Sequence, residues 1–184
     1  MGRVLVPLAQ GCEELEAVTI IDLLRRAGIE VVSASLDSAV ITASRGVRLV
    51  ADAELDEVLE QDFDMIVLPG GLPGADHLDN DPRIHTLLKR MQAAGKYTAA
   101  ICAAPKVLAN AGLLEGKQAT SYPGVIDAMH LPQTRVLETP VVSDGLLVTS
   151  RGPGTAMDFA LTLIEKLEGP EKRQAVEAPL MRPA

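Results

Sequence analysis

The sequence predicts an α/β protein in which a mostly parallel central sheet carries helices on both faces. Short apolar runs alternate with segments whose apolar residues recur at helical spacing, and this alternation is typical of parallel sheets. The first three elements are a strand, a helix and a strand, and glycine-rich turns follow several of the strands. A chain of 184 residues suits one domain, so we expect a single domain over residues 1–184.

The chain opens with a β-α-β unit. Residues 4–8 predict a buried strand, residues 13–26 a helix and residues 30–35 a second strand. Acidic residues fill the first turn of the helix and arginines its last turn, which complements the helix dipole at both ends. Gly28 follows the helix, where glycine commonly ends one.

The remaining elements continue the alternation and add small β-hairpins. They are a hairpin over 39–43 and 47–50, a buried strand over 64–68, a helix over 81–94, a strand leading to Cys102, a helix over 104–111, short strands near 119–121, 136–137, 141–142 and 146–149, a helix after 155 that runs to about 168, and a helical tail over 170–181.

Composition argues against several classes of function. The net charge is −8 and the chain has two Phe, two Tyr and no Trp, so it lacks the basic face and stacking aromatics of a nucleic-acid binder. No apolar run approaches the roughly 20 residues that span a bilayer. The N-terminus has no signal-peptide pattern, so we expect a cytoplasmic protein without membrane association.

The cysteines and histidines predict neither a disulfide scaffold nor a metal site. Cys12 and Cys102 are the only cysteines and do not form a CxxC pair, so we expect two free thiols. The histidines have no ligand-like spacing with cysteine. His77 and His85 are interpreted as surface residues, and no Cys-His-Asp triad can be assembled from the sequence.

Three segments follow predicted strands and are expected at one edge of the sheet. They are residues 11–16, residues 69–74 and Cys102. Ligands of parallel sheets bind at the carboxyl ends of strands near a switch in strand order, so these segments are expected to converge on a binding crevice.

Cys102 is the candidate nucleophile. A tight strand-to-helix turn would expose its side chain, and the N–H groups of the following helix would favour the thiolate over the thiol. The alternative is a buried cysteine that packs as a small apolar residue, which is the more common role of a lone cysteine. The convergence of three strand ends favours the reactive interpretation.

Two further features could assist such a thiolate. Consecutive glycines at Gly70 and Gly71 leave N–H groups accessible for an oxyanion, although a Gly-Gly pair is also common in ordinary turns. Glu13, Glu14 and Glu16 share the first turn of a helix, and one of them could point over the strand ends. A protonated carboxyl there would donate to the thiolate, but composition does not distinguish among the three.

The segments together resemble the DJ-1/PfpI (ThiJ) superfamily, specifically the DJ-1-like branch that includes the bacterial YajL-type proteins. The resemblance extends over nearly the whole chain. It is carried by residues 11–16 (GCEELE), 22–29 (DLLRRAGI), 44–46 (SRG), 67–71 (VLPGG), 99–105 (AAICAAP) and 149–155 (TSRGPGT).

The resemblance implies a flavodoxin-like sandwich, a homodimer and specific site residues. It assigns Glu16 as the carboxyl partner of a nucleophilic Cys102, and the Gly71 and Ala103 amides as oxyanion donors. It places Arg26 and Arg45 where the family gathers cations near the cysteine pocket and dimer interface. Members of the family are described as glyoxalase III-type enzymes, protein deglycases and oxidation-sensing chaperones.

Two departures from the family pattern are informative. Ala103 stands where PfpI-type proteases carry a histidine after the nucleophile, which argues against protease activity. Tyr122, before Pro123, stands where DJ-1 has a pocket histidine, and a tyrosine with a pKa near 10 is a poor base at neutral pH. Cys12 is interpreted as a bystander rather than a resolving thiol.

Two hypotheses follow. The first is a cofactor-independent enzyme whose Cys102 attacks α-oxoaldehydes, or glycated thiols and amines, to form a hemithioacetal. The second is an oxidation-sensing, chaperone-like stress protein whose Cys102 is oxidised to the sulfenic and sulfinic acids.

Overall fold

The computed structural model describes residues 1–183 and confirms an α/β fold with a mostly parallel sheet between helices. Residue 184, the last of the predicted domain, lies outside the described residues. Seven strands form the main sheet in the order β10-β11-β7-β6-β1-β2-β5, and only β10 runs antiparallel to its neighbour.

The elements follow the expected alternation. In chain order they are β1 (Arg3–Leu8), α1 (Glu14–Arg26), β2 (Glu30–Ser35), β3 (Val40–Thr42), β4 (Arg48–Val50), β5 (Ala53–Glu54), α2 (Leu55–Val58), β6 (Met65–Leu68), α3 (Gly74–Asn80), α4 (Pro82–Ala93), β7 (Tyr97–Ile101), α5 (Pro105–Asn110), β8 (Gln118–Ala119), β9 (Arg135–Val136), β10 (Val141–Asp144), β11 (Leu147–Ser150), α6 (Ala156–Glu168) and α7 (Pro170–Glu177). Two 3₁₀ turns, Pro153–Thr155 and Ala178–Leu180, precede α6 and follow α7.

Local signals account for the helix boundaries that the sequence predicted. The Glu13 side chain accepts from the Leu15 amide at the start of α1, and Gly28 has a φ of +81° after its end. At α4, the Asp81 side chain accepts from the Arg83 amide, and Pro82 occupies the first turn, where its missing N–H has no cost.

Alternation along the strands divides the interior into two apolar clusters. Val4 and Val6 of β1 face the cluster under α1, α6 and α7, whereas Leu5 faces the cluster under α2, α3, α4 and α5. Helices therefore cover both faces, as predicted. The residues after β1, β6 and β7 emerge together at the carboxyl edge, where the chain turns from one half of the sheet to the other.

The short elements depart most from expectation. Hairpin β3–β4 forms as predicted, and the strands predicted at 141–142 and 146–149 pair as hairpin β10–β11. Elements α2, α3 and β5 were not predicted. The expected strand at 119–121 is shorter, and β8 pairs in parallel with β9 in a small separate sheet. No helix within residues 1–183 has the length and apolar character that crossing a bilayer would require.

Candidate active site

Cys102 lies at a sharp turn between β7 and α5. Its φ is +63°, a left-handed conformation that is uncommon for a residue with a side chain. The Cys102 amide donates to the Ser150 carbonyl at 3.0 Å, and its carbonyl accepts from the Tyr122 amide at 2.9 Å. The two bonds hold the strained peptide between two loops, and the side chain is partly exposed.

Glu16 is the acidic residue that the fold brings to this cysteine. It is fully buried, and its Oε2 accepts from the Gly70 amide at 2.8 Å. The same carboxyl is hydrogen-bonded to Cys102, while Oε1 is buried without a partner among the described residues. Of the three glutamates that sequence spacing left open, Glu16 is the one that the structure brings to Cys102.

Gly70 permits this close approach. A Cβ built on Gly70 would lie 2.6 Å from the Cys102 Cβ and 2.9 Å from Glu16 Oε2, inside normal contact distance. The absence of a side chain at residue 70 therefore allows the carboxyl, the thiol and the loop to meet. The Gly70–Gly71 pair predicted accessible N–H groups and not this role of Gly70, although a glycine at a strand end is a signal of close backbone approach.

Two backbone amides face the cysteine sulfur. The amides of Gly71 and Ala103 hydrogen-bond to Cys102, and both lower the pKa of its thiol. Gly71 has a φ of +87°, in the left-handed region that favours glycine. The two residues are the ones that the family resemblance assigned as oxyanion donors.

The pKa values of the pair differ in part from the sequence-based expectation. Burial raises the pKa of the Glu16 carboxyl to about 7, the direction expected for a carboxyl removed from water. We expected the pKa of the Cys102 thiol to fall, but burial and the adjacent Glu16 carboxylate raise it to about 12. The Gly71 and Ala103 amides lower this pKa by less, so the thiolate is least disfavoured when Glu16 carries the proton.

Tyr122 is fixed beside the cysteine turn. Its amide donates to the Cys102 carbonyl, and its ring lies against the backbone of Gly152, since a Cβ there would be 3.4 Å from Tyr122 Cδ2. Arg151 donates from Nε to the Ser121 carbonyl at 3.2 Å and joins the two loops. Tyr122 as a whole is about half exposed, at 51%.

Glu13 and Glu14 have a different role from Glu16. Both side chains accept from the Ser44 hydroxyl, at 2.9 and 3.0 Å, and Glu14 Oε1 also accepts from the Arg45 amide at 2.8 Å. They therefore attach the tip of hairpin β3–β4 to the start of α1. Sequence reasoning missed this link, because nothing local in the Ser44 segment indicates which carboxylates it will meet.

The two arginines assigned to the pocket are placed differently. Arg45 lies at the exposed hairpin tip, next to Glu14. Arg26 lies ten residues after Glu16 on α1, about 15 Å along the axis, and pairs with Asp22. Arg26 therefore does not line the crevice of its own chain; it lines a surface groove of about 560 Å³ with Val18 and Val50.

The remaining candidate residues are Cys12, which is close enough to Glu16 for that carboxylate to help raise its pKa, and the histidines. Cys12 is a buried free thiol whose pKa is raised to about 12 by burial and by Glu14 and Glu13. His77 is exposed on α3, and His85 bonds through Nε2 to the Asp79 carbonyl at 2.8 Å. Within residues 1–183 no group of His, Cys, Asp and Glu has a metal-binding arrangement.

Comparison with known proteins places these features in a family. The model of the DJ-1/PfpI family matches residues 2–166. The chain is 44% identical over 178 residues to Drosophila melanogaster protein dj-1beta, covering 96% of this chain and 95% of that protein. It is 37% identical over 171 residues to a glutathione-independent glyoxalase of Caenorhabditis elegans, covering 93% and 91% respectively.

Other relatives are longer than this chain. The chain is 44% and 46% identical to the Arabidopsis thaliana DJ-1 homologs A and B over 97% and 98% of its length, but it spans only 46% and 42% of theirs. Among solved structures, Drosophila DJ-1beta superposes with a TM-score of 0.95 at 42% identity, covering 100% of this chain and 99% of that one. Oxidised Toxoplasma gondii DJ-1 matches with the same score and identity over 100% of both chains. The chain belongs to the DJ-1/PfpI family.

Proposed function

We propose that the protein is a cofactor-independent enzyme that converts α-oxoaldehydes such as methylglyoxal to α-hydroxy acids through Cys102. The observation that carries this proposal is the buried Glu16 carboxyl, with a pKa of about 7, in hydrogen-bond contact with a partly exposed thiol that two amides face. Such a pair exchanges a proton near neutral pH at the point where a nucleophile must form.

The first step is addition to the aldehyde. Removal of one proton from the pair leaves one negative charge, and with the remaining proton on Glu16 the Cys102 sulfur is a thiolate. The sulfur forms a bond to the aldehyde carbon, and the carbonyl π electrons move to oxygen. The Gly71 and Ala103 amides stabilise the oxyanion, which takes the proton from Glu16 and becomes a hemithioacetal.

The second step is an internal isomerisation. Glu16 carboxylate removes the C–H proton of the former aldehyde carbon and returns it to the neighbouring carbon, while the hydroxyl proton moves to the former ketone oxygen. The product is a thioester of lactate on Cys102, an isomer of the hemithioacetal. Water hydrolyses the thioester, so the net reaction adds one water to methylglyoxal and needs no redox partner.

Relatives give independent support. The Caenorhabditis elegans relative is named a glutathione-independent glyoxalase, and its identity extends over nearly all of both chains. The same nucleophile could release carbonyl groups from glycated thiols or amines, which present a related electrophile. Free thiols at Cys12 and Cys102 fit a reducing compartment such as the cytoplasm.

Lactate formation from methylglyoxal tests the proposal. Cys102→Ser should abolish detectable turnover, and Glu16→Gln should lower kcat/KM by about 100-fold or more, the usual contribution of general acid–base catalysis. A matched control is Cys12→Ser, which should retain the wild-type rate. Equal rates for wild type and Cys102→Ser would overturn the proposal.

A second candidate function is redox sensing at the same sulfur. The Gly71 and Ala103 amides that face Cys102 would also stabilise a sulfinate, and the related Toxoplasma structure is of an oxidised protein. Peroxide is the oxidant, so the intact mass of the protein during a peroxide titration measures the oxidation of Cys102. Oxidation confined to Cys102, and retained in Glu16→Gln, supports sensing; no selectivity over Cys12 counts against it.

We further propose a homodimer through the groove that contains Arg26. Val18 of α1 and Val50 of β4 line it and are exposed, Val50 by 73%. The groove also carries Arg25 with Asp22, so two copies related by a two-fold axis could pair opposite charges. Val50→Glu should convert a sedimenting dimer to a monomer, whereas Val136→Glu on β9 should not. A wild-type protein that sediments as a monomer would refute this assembly.

A further inference from the structure

Two exposed side chains belong to residues whose backbone adjoins the Cys102 turn, and neither has a role in the proton transfers above. Leu72 is 59% exposed and directly follows Gly71, whose amide faces the cysteine sulfur. Tyr122 is 51% exposed, and its own amide donates to the Cys102 carbonyl. Both side chains thus start from backbone that adjoins the cysteine turn.

The backbone that carries both residues is well anchored. Before Leu72, the Gly70 carbonyl accepts from the Glu13 amide at 2.8 Å; after it, the Gly74 amide donates to the Gly11 carbonyl at 3.2 Å. The ring of Tyr122 lies against the backbone of Gly152. We call Leu72 and Tyr122 the rim of the crevice. Because the backbone of the rim is fixed, little conformational entropy is lost when a ligand binds there.

The position of this rim follows from how a carbonyl must bind. An aldehyde attacked by Cys102 directs its oxygen to the Gly71 and Ala103 amides, so the group attached to its carbon must leave the crevice in another direction. Leu72 and Tyr122 are exposed side chains whose backbones adjoin this site, through Gly71 and through the Tyr122 amide bonded to the Cys102 carbonyl. A planar or apolar substituent would remove both surfaces from water.

We propose that Leu72 and Tyr122 are specificity-determining residues that bind the substituent of the substrate, favouring α-oxoaldehydes with an aromatic group over those with a methyl group. The proposal rests on the proposed function and names the substrate class that the site prefers. Tyr122 contributes more to this preference than Leu72, because its aromatic ring can stack on an aromatic substituent.

The preference for an aromatic substituent is measured by comparing the turnover of two aldehydes. The probes are phenylglyoxal and methylglyoxal, and the readout is the ratio of their kcat/KM values. Tyr122→Ala should lower this ratio about tenfold and Leu72→Ala about threefold, the scale of a partly desolvated apolar contact. Tyr122→Phe should retain the wild-type ratio, because the ring and not the hydroxyl makes the contact. Leu146→Ala removes an exposed apolar side chain in the β10–β11 turn and is the matched control.

A second measurement does not depend on turnover. Benzyl and methyl methanethiosulfonate both react with a thiolate, which forms a mixed disulfide and releases methanesulfinate. Mass analysis gives the two rate constants at Cys102, and their ratio should fall in Tyr122→Ala as the kinetic ratio does. If the wild-type protein turns over neither aldehyde, the proposed function is wrong. The labelling ratio alone then tests whether Leu72 and Tyr122 bind the substituent.

Each outcome of these two measurements either supports or overturns the proposal. Lower ratios in Tyr122→Ala and Leu72→Ala, with wild-type ratios in Tyr122→Phe and Leu146→Ala, support the proposal. Ratios in Tyr122→Ala and Leu72→Ala that equal the wild-type values overturn it. An equal fall in Leu146→Ala also overturns it, because the effect would then not belong to the rim.

Discussion

Proton binding by Glu16 should make the stability of the folded chain depend on pH in a specific way. Burial raises the pKa of this carboxyl from 4.5 to about 7, so the folded protein holds the proton more tightly than the unfolded chain. The contribution is fully present below pH 4.5 and is lost as the pH rises through about 7. At about 1.4 kcal/mol for each tenfold change in proton affinity, the loss is about 3 kcal/mol.

Glu16→Gln isolates this contribution, because an amide does not titrate. The free energy of unfolding of wild type, relative to the variant, should fall by about 3 kcal/mol between pH 4.5 and pH 8. Glu14, Asp52 and Asp64 have lowered pKa values, so their contributions are present at neutral pH and are lost on acidification. These groups are common to both proteins and cancel in the difference.

Urea unfolding at fixed protein concentration over this pH range is the assay. Glu60→Gln removes an exposed carboxylate far from the crevice and should follow the wild-type profile. A difference between wild type and Glu16→Gln that stays constant with pH, within about 1 kcal/mol, would refute the buried, proton-binding state of Glu16.

Three further predictions test other parts of the structure. Gly70→Ala should abolish turnover and lower the free energy of unfolding by about 1–3 kcal/mol. Gly154→Ala, with open space at its Cβ, should do neither. Equal melting temperatures for wild type and Gly70→Ala would contradict the steric argument. Glu16→Gln should lower the pKa of the Cys102 thiol below about 12, since the carboxylate charge helps to raise it; iodoacetamide labelling against pH checks this, and an unchanged midpoint would refute it. Arg83→Met removes ion pairs to two aspartates and a bond to a backbone carbonyl, and should cost about 1–3 kcal/mol in urea unfolding; no change would contradict a structural role.

Local sequence signals predicted much of the fold. The cap at Glu13 and the glycine after α1 act within a few residues, so the first β-α-β unit could be located from the sequence. Helix α3 was missed because it begins at Gly74, directly after a proline and inside a glycine-rich turn. Its existence depends on packing of Leu78 into the core, which no local pattern reports.

The site shows the same division between local and tertiary information. Three glutamates share one helical turn but point in different directions, and only the assembled sheet determines that Glu16 is buried beside Cys102. The family resemblance, not spacing, had indicated that residue. The thiol pKa was misjudged because the turn geometry suggested stabilisation by amides, whereas burial and the Glu16 charge outweigh it.

The most direct test of the account is the mass of the protein quenched during turnover of methylglyoxal. The hemithioacetal and the thioester have the same mass, so we expect one adduct of methylglyoxal on Cys102 and none on Cys12. The adduct should accumulate in Glu16→Gln, where proton transfer is slow, and be absent from Cys102→Ser. Lactate formation without any adduct on Cys102, or with an adduct on Cys12 alone, would contradict the account.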